Sequence, residues 1–138
     1  MIRYTASLQG ITPDQLSGRF FVGWTHIPSP ETHLHILRQS AHAVIALDER
    51  EQVVGFITAI SDGVLSAYIP LLEVLKSHQR MGIGKQLVFR MIEELKGLYM
   101  IDLCCDAELE GYYAQLGMTA TCGMIRRDRR ALQDLMAK

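Results

Sequence analysis

The chain has little of what marks a secreted, membrane-spanning or nucleic-acid-binding protein. Its three cysteines, Cys104, Cys105 and Cys122, are an odd number without a Cys-x-x-Cys pair, which suits neither a disulfide scaffold nor a four-ligand zinc site. Reduced thiols are expected. Two of them lie in the apolar run of residues 100–105, where a free cysteine acts as a small hydrophobe. The histidines, at 26, 33, 35, 42 and 78, are scattered in no metal-ligand spacing, so no metal is expected. No apolar stretch approaches the roughly 18 residues that span a bilayer. The start Met-Ile-Arg-Tyr-Thr lacks the basic and then greasy segment of a secretion signal, so a cytoplasmic protein with no membrane partner is expected. Charge of one sign is missing too: 14 Lys and Arg stand against 15 Asp and Glu, a formal net charge of −1. No strong field announces a nucleic acid. The short basic run of residues 126–130 reads as a solvated face.

What the chain does have is enough apolar material for one core. It is 138 residues long and 49% hydrophobic, which suits a single domain over residues 1–138 that buries roughly two thirds of its unfolded surface. Residues 1–7 read as a short strand. Thr12-Pro13 and Ser29-Pro30 each place a capping hydroxyl before a proline at the first helical position. Residues 43–47 and 53–60 are strand-like around the polar turn 48–51, and Asp62-Gly63 marks a second turn. The apolar segment 64–75 is broken by Pro70, which predicts a bend or bulge there. Ile83, Leu87, Val88, Met91, Ile92 and Leu95 share one face of a helix that Gly97 ends. Residues 98–105 read as a buried strand, 107–116 as a short helix and 118–125 as a final strand. The fold class is therefore α+β, a mixed sheet flanked by helices.

The stretch that carries chemistry joins a buried strand to the amphipathic helix through two close glycines: Gln79-Arg80-Met81-Gly82-Ile83-Gly84-Lys85. At a helix start several N–H groups lack intrahelical partners, and the aligned peptide dipoles place partial positive charge there. Glycines let phosphate oxygens approach, and Arg80 and Lys85 add full charge. The nucleoside-triphosphate loop is absent, since its first glycine would fall on Gln79 and its Ser or Thr on Gln86. The dinucleotide pattern fails because its third glycine would fall on Leu87. On these residues alone, the elbow is either a pyrophosphate cradle or a tight strand-to-helix turn.

The chain resembles the GCN5-related N-acetyltransferase (GNAT) superfamily. Its signature Gln/Arg-x-x-Gly-x-Gly/Ala matches Gln79-Arg80-Met81-Gly82-Ile83-Gly84. Leu72-Glu73-Val74 resembles the end of the family's fourth strand, and Tyr112-Tyr113-Ala114-Gln115-Leu116-Gly117-Met118 resembles its later aromatic-Tyr element. The resemblance spans residues 40 to 125. It implies a mostly antiparallel sheet whose strands 4 and 5 splay to admit acetyl-coenzyme A.

By that resemblance the backbone of Leu72, Glu73 and Val74 holds the pantetheine arm. The segment Gln79, Arg80, Met81, Gly82, Ile83, Gly84 and Lys85 holds the pyrophosphate. Asp106 stands where the family often has an Asn on the pantetheine. The function implied is transfer of an acetyl group to a primary amine, on a small molecule, by direct attack on the thioester. Tyr113 aligns with the proton donor to the departing thiolate, and Val74 N–H is placed for the oxyanion. Relatives carry a glutamate base at positions that are Tyr68 or Ile101 here, so Glu73 and Asp102 are the nearest acidic candidates. Phe21 and Trp24 are candidates for the acceptor pocket. The missing carboxylates leave open an alternative, a catalytically silent acyl-CoA-binding module. The resemblance also leaves room for a homodimer through the C-terminal strand.

Overall fold

The computed structural model describes residues 1–137. The chain runs β1 (Arg3–Thr5), a 3-10 turn (Pro13–Leu16), α1 (Pro30–Gln39), β2 (His42–Leu47), β3 (Val53–Ser61) and β4 (Ser66–Val74). A second 3-10 turn (Lys76–His78) leads to α2 (Ile83–Glu94) and β5 (Met100–Asp102). A third (Ala107–Leu109) runs into α3 (Glu110–Gln115), and α4 (Arg129–Met136) ends the described chain. The strands form one sheet in the order β1-β2-β3-β4-β5, antiparallel except for the parallel β4–β5 pair. The mixed α+β class read from the sequence is the class observed. Among the described residues no helix is long and apolar enough to cross a membrane.

Local chemistry sets the early elements. Ser29 Oγ accepts the Thr32 N–H at 3.1 Å, with Pro30 opening α1. At the shorter 3-10 turn, Gln15 Oε1 accepts the Thr12 N–H at 2.9 Å. Both faces of the sheet are covered, which is why β2 and β3 read as nearly unbroken apolar runs. On one face Val44, Ala46, Val54 and Ile57 pack against Ile83, Leu87, Val88 and Met91 of α2. On the other, Ile45, Leu47 and Phe56 pack against Leu34 and Leu37 of α1 and against Phe20 and Phe21. Gly55 lets the start of α2 sit close on β3: a Cβ there would lie 3.1 Å from Leu87 Cδ1 and 3.3 Å from Ile83 Cγ2.

The predicted irregularity at Pro70 is present. Tyr68 pairs with Ile60 and Leu71 with Thr58, so Ile69 and Pro70 together oppose Ala59. That is a β-bulge, which proline tolerates because it needs no ladder donor.

The C-terminal third departs from the sequence reading. β5 is three residues long rather than spanning 98–105, and residues 118–125 form no strand. A strand needs a partner ladder. The sheet ends at β5, residues 103–106 leave it, and the segment 118–125 pairs with none of its strands. Cys104 and Cys105 are consequently exposed rather than packed as small hydrophobes, and Cys122 is exposed as well. The sequence reading also passed over α4, which the Asp128 carboxylate caps by accepting the N–H groups of Arg130 and Ala131 at 3.0 and 3.1 Å.

One buried group ties stability to pH. His33 is 2% exposed, its ring packs edge-on against Phe20, Phe21 and Phe56, and its Nε2 has no partner. Burial lowers its pKa from 6.5 to about 4. Between those values the unfolded chain takes up a proton that the folded chain refuses, so stability falls as pH drops from 6.5 toward 4. The loss at the acid end is on the order of 3 kcal/mol. Urea unfolding of His33→Leu should show a distinctly flatter slope of stability against pH across that window than the unsubstituted chain. An unchanged slope would place the pH dependence elsewhere.

Candidate active site

The site grows from a mismatch in strand length. β4 has nine residues, yet β5 pairs only with Ser66, Ala67 and Tyr68. Beyond Tyr68 the two chains part, and a cavity of about 560 Å³ fills the wedge. One wall is residues 69–73 and the other residues 103–106, with Leu109 and Tyr113 closing it and Val22, Trp24, Ile125 and Arg127 at the rim.

The wedge exposes backbone in a fixed pattern. Leu75 N–H donates to Val54 O at 2.8 Å, toward β3. By the alternation of an antiparallel strand, the polar groups of Leu72 and Val74 face the open side. Gln79 Nε2 donates to Val74 O at 3.0 Å, which leaves the Val74 N–H and both Leu72 groups for a ligand. Gln79 thus ties the elbow to the strand.

At the elbow Gly82 has φ +81° and Arg80 φ +65°. Among the described residues, none of the N–H groups from Arg80 to Lys85 is met by an acceptor in the protein, and the first ladder bond of α2 is Gln86 N–H to Gly82 O at 3.1 Å. Arg80, Met81, Gly82 and Lys85 are exposed, while Ile83 is buried as the anchor of α2. Gly84 brings a residue that motif reasoning left aside: a Cβ there would lie 3.1 Å from the Tyr112 hydroxyl and 3.7 Å from Val74 Cγ2. Tyr112 therefore stands over the elbow. Its ring packs edge-on against Tyr113, 5.1 Å between centroids. The adjacent pair of tyrosines was the available signal.

The titratable groups sort by burial. Glu73 is half-buried and lines the cavity, and its Oε1 accepts the Phe21 N–H at 2.8 Å. Burial raises its pKa above the ordinary carboxylate value and the Phe21 bond only partly offsets this. Phe21 reaches it from a left-handed conformation, φ +60°, which no feature of the sequence announces. Tyr113 also lines the cavity. Burial first, and then the neighbouring Tyr112 and Cys105, push its hydroxyl up to about 12. Asp106 lines the same wall. Asp102, the other acidic candidate, is exposed at the end of β5 and takes no part in the cavity lining; its chain is too near the sheet edge to be covered. Trp24 and Val22 line the rim, while Phe21 sits behind them, buried against Trp24 and His33.

Such a combination suits a diphosphate-bearing thioester: orphan amides on a helix dipole, an open strand edge leading from them, and a phenol with a half-buried carboxylate deeper in. The sequence pattern of the acetyltransferase (GNAT) family matches residues 12–118. The chain belongs to this family. It is 30% identical over 115 residues to GCN5-related N-acetyltransferase 1, chloroplastic, of Arabidopsis thaliana, covering 81% of this chain and 58% of that protein. The chain thus spans 58% of the length of that curated relative. Among solved structures, a provisionally assigned acetyltransferase from Deinococcus radiodurans R1 superposes with a TM-score of 0.88 at 44% identity, over 91% of this chain and 87% of that one. A GNAT-family acetyltransferase from Streptococcus pneumoniae TIGR4 gives 0.74 at 30% identity, over 94% and 99%.

The elbow can be tested separately from any chemistry. Gly82→Ala forces a Cβ into a left-handed residue, at about 1–2 kcal/mol of strain, and calorimetry should show CoA affinity reduced by roughly tenfold or more as the amides turn away. Gly97→Ala carries a comparable backbone cost at φ +99° beyond the far end of α2 and should leave CoA affinity within about twofold. Equal losses in both variants would show that the elbow is only a turn.

Proposed function

We propose that the protein is an N-acetyltransferase that moves the acetyl group of acetyl-CoA to a primary amine of a small molecule by direct attack. The observation that carries this is the half-buried Glu73 carboxylate, held through Oε1 by Phe21 N–H and lining the same cavity as the Tyr113 hydroxyl. Acetyl-CoA supplies the thioester carbonyl that the amine attacks. Main-chain N–H groups from Arg80 to Lys85 bind the pyrophosphate, with Tyr112 hydroxyl beside them. The free backbone groups of Leu72 and Val74 orient the pantetheine, and Asp106 faces it from the other wall. Val74 N–H meets the negative charge that develops on the carbonyl oxygen.

Glu73 takes the proton the amine must lose. Its Oε2 has no protein partner among the described residues, and burial sets its pKa nearer neutrality, where a base works best. Tyr113 donates to the departing sulfur. A phenol held near 12 stays protonated at neutral pH. Full transfer to a thiolate whose conjugate thiol lies near 8.5 is uphill by about 5 kcal/mol in the ground state, so Tyr113 stabilises the thiolate by its hydrogen bond, and the thiolate takes a proton from solvent as Glu73 returns the amine's proton there. No nucleophile of the protein is needed, and the exposed cysteines have no part in the reaction.

Release of CoA with a panel of small amines tests the reading. Turnover is expected with at least one acceptor. Glu73→Gln should lower kcat roughly 100-fold or more and abolish the acidic limb of the pH profile. In the unsubstituted enzyme that limb should lie above the ordinary carboxylate value of 4.5, with activity rising as Glu73 loses its proton. Tyr113→Phe should lower kcat by roughly 100-fold with a smaller effect on the KM for acetyl-CoA. Tight CoA binding with no turnover across the panel would instead assign a silent acyl-CoA-binding module.

A further inference from the structure

The rim of the cavity holds a cation that the proposed reaction does not use. Arg127 lines the cavity together with Val22, Trp24 and Ile125. Among the described residues it has no carboxylate partner, and its recorded hydrogen bond is to the neighbouring Arg126 carbonyl at 3.4 Å. It is not stacked on an aromatic ring either, the cation–π contact of the described residues being Arg90 on Tyr4. Its charge nevertheless reaches the Tyr68 hydroxyl: the Cys104 thiol and burial push that phenol up, and Arg127 pulls it back.

Position separates Arg127 from the diphosphate. None of the residues from Arg80 to Lys85 lines the cavity that Arg127 lines, so the guanidinium is set apart from the glycine elbow. The other charged members of the lining are the two carboxylates Glu73 and Asp106. The cavity thus has an acidic side suited to an amine, one uncommitted guanidinium, and an apolar rim beside it. Arginine is charged at every working pH and pairs with carboxylates through two parallel donors.

We propose that the acceptor is an amine that also carries a carboxylate, the amine directed to Glu73, the carboxylate held by Arg127, and the carbon frame lying against Trp24, Val22 and Ile125. This assignment rests on the acetyl-transfer reading and deepens it. The two charges of such an acceptor are each complemented, whereas a simple monoamine leaves the guanidinium unanswered.

The test uses acceptor pairs matched in frame and amine basicity, one member a remote carboxylate and the other its neutral amide. Two readouts run in parallel: CoA release, and affinity for the CoA-loaded protein by calorimetry. The acid should be preferred by roughly 10- to 100-fold in kcat/KM and in affinity, the range for a charge-assisted pair. In Arg127→Gln the ratio of acid to amide should fall to within about twofold of one, and Arg127→Lys should keep part of it. Equal treatment of acid and amide by the unsubstituted protein, or a preference that survives in Arg127→Gln, overturns the assignment. Absence of turnover with every amine defeats the transfer reading, and the calorimetric ratio then decides the carboxylate site by itself.

Discussion

The site exists because β4 and β5 part early. A strand inside a sheet satisfies its backbone groups on both sides. Here β4 does so only as far as Tyr68 and then runs six more residues with one edge open. Open edges invite aggregation unless something covers or claims them. Part of this edge is claimed internally, by the Gln79 amide on the Val74 carbonyl. What remains is a short row of donors and acceptors leading straight to the start of α2, where the orphan amides of the elbow continue it. The polar groups that a complete sheet would have consumed form one continuous track.

A second feature fixes the depth of the site. The segment before α1 tucks Phe21 under Trp24 and packs both Phe20 and Phe21 against His33 and Phe56, and this aromatic cluster holds Phe21 in a left-handed conformation of the kind that costs about 1–2 kcal/mol. Its return is the N–H delivered to Glu73 at 2.8 Å. The carboxylate is thereby kept in place in a half-buried setting that would otherwise favour its movement toward solvent. The unpartnered His33 is the other cost of the same cluster. Burial keeps it neutral by holding its pKa down to about 4, and the fold is correspondingly sensitive to acid.

Legibility in the sequence followed the range of the interactions. Ser29-Pro30, Asp62-Gly63 and the spacing of Ile83, Leu87 and Met91 are local signals, and the turn and helices they announce are present. Pro70 marked the bulge because a missing N–H is a property of one residue. Residues 98–105 and 118–125 misled because their composition suits a strand, while a strand exists only where another chain segment accepts it. The exposure of Cys104 and Cys105 follows from the same failure. In the site, the glycine elbow was readable from spacing. The Phe21 bond to Glu73, spanning 52 positions, and the Tyr112 hydroxyl over Gly84 were not, since both depend on where separate segments meet.

The bulge at Pro70 also decides which face each side of β4 serves. Before it, Ala67 and Ile69 point to the α2 side of the sheet. After it, Leu72 and Val74 point there, and Leu71 packs on the α1 side. The extra residue has shifted the alternation by one. Without that shift Glu73 would fall on the face covered by α2, among Ile83 and Leu87, where a carboxylate would be buried without a partner. With it, Glu73 comes out on the α1 side, the face that Tyr68 also occupies by its parity before the bulge. Tyr68 and Glu73 therefore share a face of β4 at different places along the strand. The strand's open edge and α2 then serve the donor half of the proposed reaction, while its α1 face serves the acceptor half. One extra residue in β4 is what lets a single strand address both.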